Sequence, residues 1–445
     1  MGVDRRGFLA RAGLTVAAAQ LASRVTATTS AATPEVALTG ESVDWGWVRQ
    51  QFELAPDWIH LATFFLASHP RPVREAIEAY RRLLDENPLF VEEAMFEPRH
   101  ENVPLRVKTA VARYVGGQPD EVALVPNTTT GLALVYNGLR VKPGQEILTT
   151  EHDHYSHHTS IAYAAEKSGA TVRRVALHDG AAGASEAEIV DRLRRAVAPR
   201  TRAVGVTWVH SSTGLCLPIR AMADVVRAAN AGRDDTDRCL LVVDGAHGLG
   251  ALDESVAALG ADFFVAGLHK WMLAPRGTGI IWARDTAWPH VRPTVPSFDS
   301  FDPFNAWATN EPLPPKTQAA WVAPGGFYAF EHLWGAEAAI QFHERLGRSR
   351  VAGRVRELNG TFRRELGGMK HVRLHTPASD ALSAGIVCFE VAGMKPEEVV
   401  RRLHAKKIHA TTSPYAVSYA RVSAGIMVSP QEVERTVREI RALSA

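Results

Sequence analysis

At 445 residues the chain is too long for one ordinary core, and its length predicts two domains plus an extension. Hydrophobic residues make up 46% and charged residues 22%, which excludes a disordered chain. The formal net charge of +2 leaves no electrostatic footprint for nucleic acid or an anionic membrane.

The first forty residues stand apart. Asp4-Arg5-Arg6-Gly7-Phe8-Leu9 precedes a small apolar run over 12–22 and a Thr/Ser/Ala stretch. This resembles a twin-arginine export signal, although Asp4 stands where Ser or Thr is usual and Arg11 and Arg24 shorten the apolar run. Export is therefore the expectation; read as a plain basic N-terminus, the same residues would leave the protein cytoplasmic. No other segment reaches the roughly 20 apolar residues that span a bilayer.

From about residue 100, short β-branched runs alternate with helical stretches. The pattern predicts strands over 121–125, 146–150, 171–177, 203–209, 240–244, 263–266 and 279–283. Helices are expected to open over 131–139 and to run through 162–167, 186–197 and 221–231. Continuous apolar strands separated by helices indicate an α/β fold with a mainly parallel sheet covered on both faces. Ligands in such sheets bind beyond the carboxyl ends of the strands.

Residues 285–326 break the pattern. They hold eight prolines among Phe298, Phe301, Phe304 and Trp307, and they read as a long loop that packs over something. A helical stretch over 327–366 follows. A smaller α+β unit closes the chain, with strands near 372–374, 384–391 and 420–425 and helices over 396–406 and 430–443. The division is therefore 1–40 (signal or disordered), 41–325 (N-terminal arm and large domain) and 326–445 (small domain).

Two strand ends carry the strongest chemical signal. Asp244 closes the run Leu241-Val-Val-Asp244-Gly-Ala-His247, and Lys270 follows Phe263-Phe-Val-Ala-Gly-Leu-His269. In a parallel sheet this spacing is one strand–crossover–strand step, which brings both side chains to one crevice. Pyridoxal 5′-phosphate (PLP) chemistry needs such a pair. A lysine amine condenses with the cofactor aldehyde and later serves as base, while a carboxylate keeps the pyridine nitrogen protonated. Between a strand and a helix, Asn127-Thr128-Thr129-Thr130-Gly131 offers amides and hydroxyls to a phosphate, although such a run also makes a good helix cap.

Two further runs read more weakly. Glu151-His152-Asp153-His154-Tyr155-Ser156-His157-His158 is dense in metal-ligand types, but beside the PLP signals it is read as no metal site. Gly245-Ala-His-Gly248-Leu-Gly250 has the dinucleotide-loop spacing reversed. The three cysteines lack CxxC spacing, which excludes a zinc ribbon or a disulfide scaffold.

These residues resemble the fold-type I PLP enzymes of the class V aminotransferase group, and within it the isopenicillin N epimerase-like branch. The likeness runs from His60-Leu61 and Ser68-His69-Pro70 through Asn127-Thr-Thr129, Thr149-Thr-Glu-His-Asp153, Ser211-Ser-Thr-Gly214, Asp244-Gly-Ala-His247 and His269-Lys270-Trp271. It continues through Pro275-Arg-Gly277-Thr278-Gly279 to Arg421-Val-Ser423. The resemblance implies a large domain with a seven-stranded sheet and a smaller C-terminal domain. It implies Lys270 as Schiff-base lysine and Asp244 as partner of the ring nitrogen, with Asn127, Thr128 and Thr129 on the phosphate, helped by His269. His154 is the residue expected to stack on the cofactor, with Tyr155 next to it on the substrate side, and Ser211 and His247 line the cofactor. Thr278 is expected to reach the phosphate of a neighbouring subunit, which implies a homodimer with shared sites. Arg421 is expected to hold a substrate α-carboxylate.

Several departures narrow the reaction. Residues 407–420 contain no cysteine, where desulfurases of the group carry their nucleophile. Ser211 replaces an asparagine common near the cofactor hydroxyl, Gly267 replaces a residue that often touches the phosphate, and Pro324-Gly-Gly-Phe327 departs from a Gly-Thr pattern. The expectation is an enzyme acting at Cα of an amino acid or amino-acid-derived metabolite, epimerase- or lyase-like. The alternatives are an O2-using oxidase or decarboxylase, an aminotransferase, and, from other classes, a non-catalytic PLP-fold binding protein or a hydride-transferring enzyme.

Overall fold

The computed structural model describes residues 38–39, 42–96 and 102–443; the stretch that resembles an export signal lies outside them. Seven strands form the main sheet: β1 (Val122–Val125), β2 (Glu146–Thr150), β3 (Thr171–Val175), β4 (Thr201–Thr207), β5 (Leu240–Asp244), β6 (Phe263–Gly267) and β7 (Gly279–Ala283). Their order is β1-β7-β6-β5-β4-β2-β3. The five strands from β6 to β3 in that order run parallel, and β7 is antiparallel to both neighbours. Every residue of β2, β4, β5, β6 and β7 is buried, as a sheet with helices on both faces requires. Edge strand β3 is instead largely exposed and carries Arg173 and Arg174, charges that discourage pairing with another chain.

The helices used below are α1 (Arg71–Glu86), α2 (Val103–Val115), α3 (Thr128–Gly138), α4 (Tyr155–Ser168), α5 (Glu186–Ala196), α6 (Ile219–Ala229), α7 (Phe301–Thr309), α8 (Phe330–Leu346), α9 (Arg348–Gly367), α10 (Pro396–Ala405) and α11 (Pro430–Arg441). The expected elements of the large domain appear with ends shifted by a few residues. The proline-rich stretch is more ordered than expected. Ser300 caps α7 by accepting from the Asp302 amide at 3.2 Å, and a four-residue helix follows at Ala319–Val322. The single helical run expected over 327–366 is two helices, α8 and α9, broken at Gly347 with φ +88°.

The second sheet is antiparallel, β8 (Val372–Leu374), β9 (Val387–Val391), β10 (Thr411–Thr412) and β11 (Ala420–Val422), in the order β8-β9-β11-β10. Helices α9 and α10 pack on it, and α11 packs on those two helices. Packing crosses the boundary drawn at 325/326. Val48, Phe52, Leu61 and Phe64 lie in one core with Phe362, Phe389 and Leu403, and Ile59–His60 pairs in parallel with Ile408–His409. The N-terminal arm thus belongs with the small domain. Conversely, α8 packs on α1 and α2, and its Phe330, Leu333 and Trp334 join the core of the large domain.

Fully buried Asn359 on α9 ties the small sheet down. Its Nδ2 donates to the carbonyls of Val355 and Ala424, at 2.8 and 2.9 Å, and its Oδ1 accepts from the Ala424 amide at 2.9 Å. Ala424 lies just beyond β11, the strand that presents Arg421. Asn359→Leu would strand both backbone groups of Ala424 in an apolar core. We expect a loss of about 2–4 kcal/mol, read as a lower urea midpoint at unchanged slope.

Candidate active site

The parallel strands end at one edge, and the expected site residues gather there. Because β7 is antiparallel, its first residue, Gly279, opposes Val125 and Gly267, the last residues of β1 and β6. Asp244 ends β5 and is 4% exposed; its Oδ1 accepts from the Ala246 amide at 3.0 Å. Lys270 follows the neighbouring strand, and its Nζ lies 3.2 Å from His247 Nε2. Burial lowers the Lys270 amine to about 8; Asp244 opposes that shift and Arg421 adds to it. His247 is pushed well below its ordinary value by burial, then by Lys270 and Arg421. Its ring is therefore neutral and offers Nε2 to the lysine.

Asn127 caps α3, its Oδ1 accepting from the Thr130 amide at 2.9 Å. The amides of Thr128 and Thr129 begin the helix and have no carbonyl a turn earlier to bond. Thr128 Oγ1 accepts from the Gly267 amide at 2.7 Å, which joins the ends of β1 and β6. A side chain at Gly267 would stand 2.7 Å from the His269 ring and 3.2 Å from Thr128 Oγ1; glycine is there to admit both.

His154 caps α4, its Nδ1 2.8 Å from Ser156 Oγ. Its ring is lowered by burial, with Asp244 and Lys270 next among its charged neighbours. Tyr155 stays on the surface, 70% exposed. Thr278 is fully buried and donates to the Pro275 carbonyl at 2.5 Å.

Arg421 reaches in from β11. It is 4% exposed and donates from Nη1 to the Ser211 carbonyl and from Nη2 to the Thr412 carbonyl, both at 2.8 Å, and from Nε to Thr411 Oγ1 at 3.2 Å. Its guanidinium carbon lies 4.6 Å from the centre of the Phe64 ring, a cation–π distance. All its acceptors are uncharged. Two side chains that sequence reasoning did not single out complete the pocket: Phe64, and Tyr415, whose hydroxyl is 2.7 Å from Ser211 Oγ.

The two weaker sequence runs resolve as packing. A Cβ on Gly245 would lie 1.9 Å from the Phe264 ring, and one on Gly248 2.0 Å from Trp208, so these glycines admit aromatics rather than phosphates. The histidine-dense run diverges. His158 donates to the Thr150 carbonyl at 2.7 Å, His157 meets the Tyr136 hydroxyl at 2.7 Å, and His152 stacks on His178 with ring centres 4.0 Å apart. Among the described residues no group of three or more His, Cys, Asp or Glu is arranged to hold a metal.

The model of the Aminotransferase class-V family matches residues 68–436. The chain belongs to that family. It is 28% identical over 416 residues to an isopenicillin N epimerase of Streptomyces clavuligerus, covering 90% of this chain and 98% of that protein. A second epimerase, from Amycolatopsis lactamdurans, is 26% identical over the same shares. A probable cysteine desulfurase of Methanothermobacter thermautotrophicus is 23% identical over 80% of this chain and 84% of its own. Among solved structures, the cystine C–S lyase C-DES with its product cysteine persulfide superposes with a TM-score of 0.75 at 21% identity, covering 88% of this chain and 99% of that one. A C-DES mutant with glycine covalently linked to its PLP cofactor gives 0.76 at 21%, covering 89% and 99%. The fold is that of the fold-type I enzymes, and the protein is a PLP-dependent enzyme.

The residues present fit that cofactor. The buried Nδ1 atoms of His247 and His269 have no hydrogen-bond partner, Asp244 and Lys270 share the crevice, and the free amides of α3 face the same edge. The amine of Lys270 is a burden on the cofactor-free fold. Below pH 8 it is charged in both folded and unfolded chains, and the cost of burying that charge is fully present. Between about 8 and 10.5 the folded protein sheds a proton that the unfolded chain keeps, so stability rises with pH. We expect Lys270→Met to stabilise cofactor-free protein by on the order of 1–3 kcal/mol at pH 7, with the gain fading above pH 10; paired denaturant titrations at pH 7 and 10 check it.

Proposed function

We propose that this enzyme moves a proton at Cα of an α-amino acid, or of a metabolite that keeps an amino-acid carboxylate, and that it completes an epimerisation or an elimination there. The observation that carries this reading is Arg421, a buried guanidinium bonded only to neutral acceptors. A cation so placed without a carboxylate is poorly compensated, and a substrate carboxylate would fit it in a two-point fork.

PLP, when bound, supplies an electron sink for the pair released at Cα. The protein supplies the rest. Lys270, an amine lowered to about 8, would be the attachment point and, in its uncharged form, the base that takes the Cα proton. Asp244 would hold the positive charge of the ring nitrogen, and the amides opening α3, together with Asn127 and Thr128, would take the phosphate. His154 covers the pocket from the α4 side, and Phe64 with Arg421 fixes the carboxylate end. Likeness to isopenicillin N epimerases over nearly the whole chain supports the epimerase reading.

Thiol chemistry is the less favoured outcome. Cys216, Cys239 and Cys388 are all buried, and burial raises each thiol to about 12. A buried, protonated thiol is poorly suited to act as a persulfide-forming nucleophile. We further propose a homodimer, consistent with the exposed Trp307 and Phe327 (77% and 81%), and export by the N-terminal twin-arginine pattern.

Purified protein should show a visible absorbance band that borohydride removes, and Lys270→Ala should lack it. Asp244→Asn should keep cofactor yet lose about 100-fold or more in turnover. Arg421→Lys should raise KM for an amino acid about 10–100-fold, the worth of a lost charged fork, with a smaller change in kcat. A colourless protein that stays colourless after incubation with PLP would sink the assignment of Lys270.

A further inference from the structure

Tyr415 lies on the loop between β10 and β11, six residues ahead of Arg421. Its hydroxyl is 2.7 Å from Ser211 Oγ, and the carbonyl of the same serine accepts from Arg421 Nη1 at 2.8 Å. Phenol and guanidinium thus close on one residue and border one pocket. The Tyr415 ring also meets His154 edge-on, with centres 6.0 Å apart. The sheet order sets the flanks. Asp244 ends β5, which lies between β6, leading to Lys270, and β4, leading to Ser211. Lys270 and Tyr415 therefore stand on opposite flanks of Asp244.

Their proton affinities are complementary. Burial raises the phenol to about 12, the Ser211 bond and Arg421 oppose that shift, and Asp244 adds to it. At working pH the phenol keeps its proton and can only donate. The lysine amine, lowered to about 8, is the group that can accept.

We propose that Tyr415 is the second proton-handling residue of this site, delivering a proton to the substrate Cα from the flank opposite Lys270 and so deciding between inversion and simple exchange. This rests on the reading of Cα proton transfer given above. Lys270 Nζ would take the proton as the Cα–H bond breaks, with PLP, when bound, supplying the sink for that bond's electron pair. From the Tyr415 flank the phenolic O–H bond would break as a new Cα–H bond forms. The phenolate regains a proton from water by way of Ser211 Oγ, and Lys270 returns its own to water. No oxidant or reductant enters, and the cycle closes.

The test uses the PLP-loaded enzyme in D2O with a panel of L-amino acids. Deuterium at Cα is read by proton NMR, and the D-enantiomer by chiral chromatography. Native protein is expected to incorporate deuterium and form the D-enantiomer. Tyr415→Phe should incorporate deuterium within about threefold of native while forming the D-enantiomer at least about 100-fold more slowly, the scale of a lost general acid. Its cofactor absorbance band and the pH midpoint of that band should not move, which shows an intact site and a phenol that does not act through the cofactor. Ser211→Ala keeps the phenol and should slow inversion only about tenfold. The proposal is overturned if Tyr415→Phe inverts at the native rate, if exchange and inversion fall together, or if the absorbance midpoint shifts. A native enzyme that never exchanges the α-proton overturns the Cα reading itself and this one with it, and is recognised without any substitution.

Discussion

A guanidinium with no carboxylate beside it is the constraint on which the site depends. Taking a cation out of water costs several kcal/mol unless its donors are satisfied. Arg421 meets that demand with acceptors from three distant parts of the chain. Ser211 follows a strand of the large sheet, Thr411 and Thr412 form an edge strand of the small one, and Phe64 belongs to the N-terminal arm. The arm reaches this place through the parallel pairing of Ile59–His60 with Ile408–His409 and through an isolated bridge between Ala62 and Ser423. The cation thereby ties these three pieces of chain to one place.

The same accounting explains the charge of the pocket. Arg421 and Lys270 are two basic groups at one crevice, where Asp244 acts on Lys270, and burial lowers the proton affinity of both. The helix α3 adds its N-terminal partial positive charge at the same edge. A site so biased is complementary to a ligand that brings a phosphate and a carboxylate together. The histidines fit this picture as neutral rings. Burial holds His154, His247 and His269 below the ordinary imidazole value, so they add hydrogen-bonding and stacking surface without adding charge.

Legibility in the sequence tracks distance along the chain. Asp244 and Lys270 were legible because strand period and a single crossover fix their relation over a short span. Asn127 was legible because helix capping is local. Arg421 could be named only through family likeness, since the groups that satisfy it lie some 10, 210 and 350 residues away. Thr278 shows the limit from the other side. The residue is where it was expected, at the edge beside Gly279, but its hydroxyl is taken by the Pro275 carbonyl three residues back, a turn geometry no spacing pattern reveals. The arm's membership of the small domain and the short helices within the proline-rich stretch were also hidden, because non-local packing decides both. Tyr415 was passed over for a simpler reason: a lone tyrosine in an irregular loop carries no periodicity.

That loop is also where this enzyme parts from chemistry that the same frame would otherwise permit. The sheet, Lys270 and Asp244 are compatible with several reactions of a PLP-dependent enzyme. The fate of the released electron pair depends on which groups border the substrate from the small domain, and residues 411–421 supply Arg421 and Tyr415 from a single short segment. A thiolate on this segment could take a sulfur atom from a substrate, attacking it as the C–S bond breaks with its electron pair on carbon. Here the segment carries a phenol instead, and every cysteine of the chain is buried with its thiol held protonated. A phenol held neutral beside a serine hydroxyl can give a proton and recover it, but it cannot carry a sulfur atom.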